Sequence, residues 1–301
     1  MENNLLFDFL NQKNIRYNVN VSASDLVSFK IGGIADVVVY PKFLNELIEL
    51  TFLLKKEKIK YVILGNGTNT YFSDDGYNGI VISTSLLNHI TLNGNYIVAQ
   101  CGAKITDCAI FAYDHSLTGM EFASGIPGCI GGCVYMNASA FGGDISGIIY
   151  ETKIYDLKTN KIRTLSENDH KYAMKHSIFM ENNDYIILEA SFKLSTGQKD
   201  QIESTMNNYM QKRINSQPIN QPSAGSVFKR PKNLFAPKLI EEAGLKGMRI
   251  GDAMISTKHA GFIVNTGKAS SSDVNKLIEI IKAKIKEKYK VDLEQEIIYI
   301  E

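Results

Sequence analysis

No stretch of about 18 consecutive apolar residues occurs in this sequence, so a membrane-spanning helix is not expected. The amino terminus, MENNLLFDFLNQKN, lacks a basic segment followed by an apolar core, so cytoplasmic residence is expected. Excess charge of one sign is missing as well. With 33 lysines and arginines against 32 acids, the net charge of +1 offers no broad basic surface to a nucleic-acid backbone. Any anionic ligand must therefore be met locally. Cysteines are only four, Cys101, Cys108, Cys129 and Cys133, and they stand among apolar residues and glycines, a usage that favours buried thiols over a disulfide frame. No paired Cys or His elsewhere completes four ligands, so no metal site is expected. Repeats and low-complexity tracts are also absent. A chain of 301 residues with 44 % apolar and 22 % charged residues reads as a folded protein of more than one domain.

What the chain does have is glycine in clusters. FKIGGIADVVVYP (Phe29 to Pro41) reads as a short strand, a turn at Gly32 and Gly33, and a β-branched strand closed by proline. Leu44, Leu47, Ile48, Leu50 and Leu54 then fall at helical spacing, and KYVIL runs as a buried strand into GNGTN. After that turn TYFSDDGYNGIVIS returns to strand, and no helix starts. The dinucleotide fingerprint is thereby excluded, since it needs a third glycine and a following helix. Two readings of the turn stay open. Either it is an ordinary tight turn, or the N–H groups around Gly65 and Gly67, with Thr68 and the Asn66 and Asn69 amides, curl into an anion-binding nest. In GIPGCIGGCVYMNASAFGGD, glycines 125, 128, 131, 132, 142 and 143 strip the backbone of bulk, so a flat ligand or another chain segment must come close.

From about Tyr150 to Leu194 alternating strands are expected, interrupted by HKYAMKHSIF, and a hinge at Ser195 to Lys199 leads to a polar helix ending near Arg213. Ser272 is the expected cap of a helix carrying Val274, Leu277, Ile278, Ile281 and Ile285 inward. In the closing strand LEQEIIYIE, alternation puts Glu296 on one face with Ile298 and Ile300, which would bring a carboxylate into apolar company. The alternative is a solvated glutamate at a strand entrance. QPSAGSVFKRP (Gln221 to Pro231) leaves Ser226 in a sequence that fails the GxSxG nucleophile pattern at its last glycine, with no histidine adjoining it.

Taken in order, FKIGGIADVVVYP, ILGNGTNTYFSDDGYNGIVI, GIPGCIGGCVYMNASAFGGD, QPSAGSVFKRP, EEAGLKGMRIGDAMISTKHAGFIVN and LEQEIIYI resemble the UDP-N-acetylenolpyruvoylglucosamine reductase family, from about Phe29 to the end of the chain. The chain looks like the shorter form, which lacks an extra substrate-covering loop. The resemblance implies an α+β protein with a vanillyl-alcohol-oxidase type FAD-binding fold: residues 1–196 as two α/β subdomains split near residue 84, and residues 197–301 as an α/β substrate-binding domain. It implies a monomeric enzyme of peptidoglycan precursor synthesis that takes FAD and NADPH and has neither nucleic acid nor membrane as a partner. NADPH would reduce the flavin, whose N5 would pass hydride to the enolpyruvyl ether of UDP-N-acetylglucosamine, giving UDP-N-acetylmuramate.

Residue by residue, the resemblance makes Gly65, Asn66, Gly67, Thr68 and Asn69 the pyrophosphate turn. Gly125, Ile126, Pro127, Gly128, Gly131 and Gly132 become backbone that approaches FAD. Ser226 becomes the proton donor, Glu296 assists at the developing enol, and Lys229, Arg230 and Arg213 are cations for substrate or for Ser226. One departure stands out. Where the family places a Tyr-Arg pair before Ser-Ile-Phe, this chain has Met174 and Lys175, which keeps the charge but loses the planar fork. Lys175 inherits the arginine's role, and Tyr172 is the candidate replacement for the ring. Ser216 is a second departure, at a position where relatives often carry a cation. The rival readings are a sugar or alcohol oxidase of the same fold and a flavin binder that has lost catalysis.

Overall fold

The computed structural model describes residues 4–301 and divides into two compact units, each built from separated stretches of chain. The first comprises the residues up to Val19 with Val37–Asn66 and Gly79–Gln211; the second comprises Asn20–Asp36, Gly67–Asn78 and Lys212–Glu301. Helices and strands mix in both, as an α+β fold requires.

In the first unit the helix Leu44–Lys56 forms as its spacing predicts, burying Leu47, Leu50, Thr51 and Leu54. These pack on Val37, Val39, Ile80 and Ile82, the inward residues of a four-stranded sheet ordered Arg16–Ser22, Ile34–Tyr40, Tyr77–Ser83, Tyr61–Leu64. Tyr61–Leu64 runs parallel to Tyr77–Ser83, Tyr61 beside Ile80 and Leu64 beside Ser83, so the chain leaves this sheet at Leu64 straight into the GNGTN turn. A five-stranded antiparallel sheet follows, ordered Lys161–Ser166, Ile149–Asp156, Tyr185–Lys193, Tyr96–Gln100, Ile90–Asn93. Its core face carries Ile97, Ile154, Ala190 and Phe192 against Ile105, Cys108 and Ala112 of the helix Ile105–Asp114.

The second unit packs the helix Ser271–Tyr289 over a four-stranded antiparallel sheet, Ser223–Ser226, Phe262–Asn265, Ala253–Ile255, Arg249–Ile250. All five residues expected inward, Val274, Leu277, Ile278, Ile281 and Ile285, are buried there. The cap differs from expectation. Ser270, two residues before Ser272, closes a reciprocal box with Asp273, while the Asp74 carboxylate accepts from the N–H groups of Ser271 and Ser272. A carboxylate at the positive end of the helix does what a serine there would do more weakly.

Two strands came out shorter than read. Phe29–Ile31 is not a strand although Phe29 and Ile31 are buried, because Lys30 takes a left-handed φ of 58° that breaks the extended run. LEQEIIYIE contracts to Ile298–Ile300, paired in parallel with Thr70–Phe72.

Candidate active site

Ser226 ends a strand that carries a bulge. Ser223 faces Val264 and Ser226 faces Phe262, with the register slipping between them. Gly225 sits in that slip at φ 81°, and an added methyl would meet nothing nearer than the Thr68 carbonyl at 3.9 Å. The glycine is thus needed for its backbone conformation rather than for space. A bulge of this kind re-aims the following side chain. Beyond Ser226 the chain pairs with the last segment: Phe228 bridges Gln295, the Lys229 N–H donates to the Glu294 carbonyl at 2.8 Å, and the Glu296 N–H donates to the Val227 carbonyl at 2.8 Å. Glu296 therefore lies beside Val227, one residue on from Ser226, although 69 positions separate it from Val227 in sequence (296 − 227). Both Ser226 and Glu296 are half-buried. The apolar company expected for Glu296 holds only in part, since Ile300 is buried but Ile298 is 40 % exposed.

The GNGTN turn reaches the same place in the second unit. The Asn69 side-chain amide donates to the Glu296 carbonyl at 3.1 Å, and the Asn69 carbonyl accepts from the Ile298 N–H at 2.8 Å. Ser28, which no motif singles out, donates its backbone N–H to the Gly67 carbonyl at 3.0 Å and its hydroxyl to the Ser223 carbonyl at 2.6 Å. Gly67 has φ 60°, and a methyl there would lie 2.2 Å from the Leu26 carbonyl oxygen, so no other residue fits without moving backbone.

In the first unit three glycines of the second cluster are approached by the protein itself. A methyl on Gly128 would lie 2.9 Å from the Cys133 sulfur, one on Gly131 3.1 Å from the Cys101 Cβ, and one on Gly143 2.6 Å from the Phe122 ring. Gly132 is different: it is exposed, and its nearest neighbour would be the Cys129 sulfur at 3.8 Å. Cys129 also fills the space beside Gly65, and the Asn66 amide donates to the Pro127 carbonyl at 2.8 Å, so the start of the first turn is clasped to Gly125–Gly132. All four cysteines are buried free thiols, and burial holds Cys101 and Cys133 well above the ordinary thiol range.

Lys175 occupies a tight turn closed by the Ala173–His176 bridge, at φ 55° and half-buried, and its positive charge is felt by the Cys133 thiol. Met174 is 63 % exposed in the same turn. Tyr172 is fixed from two sides: its hydroxyl donates to the Val134 carbonyl at 3.1 Å, its ring stacks on His170 with centroids 5.0 Å apart, and burial raises its pKa. The cations behind Ser226 have partners elsewhere. Lys229 pairs with Glu294 at 2.5 Å, and Arg230 donates to the Leu234 carbonyl at 3.2 Å and lies 5.9 Å from the Phe235 ring centre. Arg213 donates to the Gln217 side chain at 3.0 Å, and burial lowers its pKa.

A hydroxyl and a carboxyl held on paired segments can give a proton and support the charge it leaves. Residues 217–300 match the family profile "UDP-N-acetylenolpyruvoylglucosamine reductase, C-terminal domain", and residues 35–155 match that of an FAD binding domain. The UDP-N-acetylenolpyruvoylglucosamine reductase of Clostridium novyi is 41 % identical across 98 % of this chain and 95 % of its own length. That of Caldanaerobacter subterraneus subsp. tengcongensis is 45 % identical across 90 % of this chain and 89 % of its own. The crystal structure of the Thermus caldophilus reductase superposes with a TM-score of 0.81 at 27 % identity, covering 95 % of this chain and 99 % of that one.

The chain belongs to the UDP-N-acetylenolpyruvoylglucosamine reductase family.

A reductase of this family needs FAD, and the residues present fit it. Among the described residues, the N–H groups of Gly67 and Thr68 in the first turn, and of Gly125, Gly128 and Cys129 in the second cluster, donate to no protein acceptor. The buried Thr70 hydroxyl, just past the first turn, likewise has no partner. Rows of free backbone donors on glycine turns are what a pyrophosphate takes. No helix among the described residues is long and apolar enough to cross a membrane.

Proposed function

We infer that this chain catalyses the NADPH-dependent reduction of the enolpyruvyl ether of UDP-N-acetylglucosamine to UDP-N-acetylmuramate, a step of peptidoglycan precursor synthesis. The observation that carries the reading is the tie between Ser226 and Glu296 through the Glu296 N–H to Val227 bond, in a chain 41–45 % identical to reductases of this name. Bound FAD would supply the hydride-transfer chemistry between NADPH and the methylene carbon of the substrate. The free N–H groups at Gly67 and Thr68 are proposed for its pyrophosphate, and Gly125–Gly132, with Gly132 exposed, for backbone that the cofactor approaches closely. Ser226 donates a proton to the carbon next to the one that receives hydride. Glu296 supports the charge that develops there. Lys175 meets the substrate carboxylate as a point charge, where the family's arginine would make two parallel bonds.

Lys229 is partly neutralised by Glu294, so Ser226 draws less help from it than its place in the sequence suggests. Arg213 and Arg230 are proposed for the diphosphate. The reaction is proposed to run in the cytoplasm, and a monomer suffices for every role named. An oxidase of the same fold is disfavoured by the match over residues 217–300, which is specific to the reductase. The test is direct: purified protein should be yellow, and should oxidise NADPH only when the enolpyruvyl sugar nucleotide is added. Flavin with no such dependence would leave a binder without the reductase activity.

A further inference from the structure

The turn that carries the free donors also grips the strand that carries Glu296. Asn69 closes the parallel ladder Thr70–Phe72 with Ile298–Ile300 one step early: its carbonyl takes the Ile298 N–H, and its side-chain nitrogen takes the Glu296 carbonyl at 3.1 Å. A carbonyl can only accept, so the amide orientation is fixed by its partner. With the Glu296 N–H given to Val227, both backbone polar groups of Glu296 are held, one from the serine segment and one from Asn69. The dihedral angles that set where its carboxylate starts are thereby pinned from both sides.

We propose that Asn69 is a positioning residue for Glu296, coupling the cofactor turn to the carboxylate that assists protonation. The inference rests on the reading of Glu296 as a catalytic group. It departs from membership of the GNGTN turn, which by itself would make Asn69 a cofactor ligand. Of that turn, Gly67 and Thr68 keep their N–H groups free, whereas Asn69 spends its carbonyl and one amide hydrogen on the last strand. Only a side chain with a short, planar donor reaches the Glu296 carbonyl while its own carbonyl stays in the ladder. An aspartate has the same shape and cannot donate.

The two half-reactions separate the roles. Flavin content and the rate of flavin reduction by NADPH report on the cofactor; reoxidation of reduced enzyme by the enolpyruvyl sugar nucleotide reports on Ser226 and Glu296. In Asn69→Ala and Asn69→Asp we expect wild-type flavin content and flavin reduction within about twofold of wild type, with reoxidation slowed about 10- to 100-fold, the size that a small misplacement of a catalytic group produces. Adding Asn69→Ala to Glu296→Gln should then slow reoxidation by less than about threefold, because the group it positions is gone. Asn69→Asp keeps the ladder and the side-chain volume, so it serves if the alanine variant is insoluble. Loss of flavin, equal slowing of both halves, or reoxidation at the wild-type rate overturns the proposal. Wild-type enzyme that ignores the enolpyruvyl substrate would instead defeat the reading of the function.

Discussion

The two units hold their proposed functional groups by different means. In the second unit Ser226 and Glu296 sit on segments joined by backbone hydrogen bonds, with Asn69 and Ser28 bracing the neighbouring turn and strand. In the first unit Lys175 hangs on a two-residue turn at φ 55°, with a flexible side chain and an exposed methionine beside it. Groups that move a proton must be placed to a fraction of an ångström, and the segments of the two residues proposed for that task are joined by backbone hydrogen bonds. A cation that only has to offset charge tolerates a turn, because Coulomb attraction changes gradually with distance. On the proposed roles, a lysine at position 175 is therefore tolerated more easily than any change at Ser226 or Glu296.

The comparison breaks first at Ser226. Ser226→Ala is expected to lower kcat about 10³-fold with flavin content unchanged, as loss of a positioned acid does, in a steady-state assay of NADPH oxidation. Next comes Lys175: Lys175→Ala should lower kcat about 10²-fold and leave FAD affinity within about threefold, while Lys175→Arg should match or exceed the native rate by restoring the planar fork. Equal loss of turnover and FAD binding, measured by flavin titration, would refute that role.

A smaller pair sharpens the contrast between glycines. Gly67→Ala forces a methyl toward the Leu26 carbonyl at a left-handed φ and should cost about 1–3 kcal/mol of stability in denaturant titration. Gly132→Ala meets only the Cys129 sulfur at 3.8 Å, so it should leave the apoprotein's stability within about 0.5 kcal/mol and weaken FAD binding instead.

The smallest effect is on pH dependence. His170 is fully buried, and burial holds its imidazole below the ordinary 6.5. The unfolded chain therefore takes up this proton first as pH falls, so the stability owed to neutral His170 is complete above pH 6.5 and is lost below it, down to the folded value. His259 in the second unit is lowered by burial in the same direction. Thermal melts taken downward from pH 7 should fall less steeply below about pH 6.5 in His170→Gln than in the native chain.

Much of this was legible in the residues. The motifs in order carry the family, the period of Leu47, Leu50 and Leu54 carries a helix, and the absence of a helix after GNGTN rules out the dinucleotide fingerprint. What escaped was long-range. Nothing local says that Asp74 caps a helix beginning at Ser271, or that Asn69 reaches Glu296, because hydrogen bonds between residues some 200 positions apart leave no spacing to read. The same holds for residues 20–36 and 67–78, which join the carboxy-terminal unit. Nor could the sequence show that the Tyr172 hydroxyl is bonded to the Val134 carbonyl. In Gly125–Gly132 the lack of bulk was plain, but that the Cys133 sulfur lies beside Gly128 and the Cys101 Cβ beside Gly131 could not be told from composition.

The central claim is that Ser226, braced beside Glu296, is the proton donor. Rapid mixing of NADPH-reduced Ser226→Ala enzyme with the enolpyruvyl sugar nucleotide, followed by flavin absorbance, tests it most directly. The account predicts flavin reduced by NADPH at the native rate and then reoxidised about 10³-fold more slowly than in the native enzyme. Reoxidation at the native rate would contradict it.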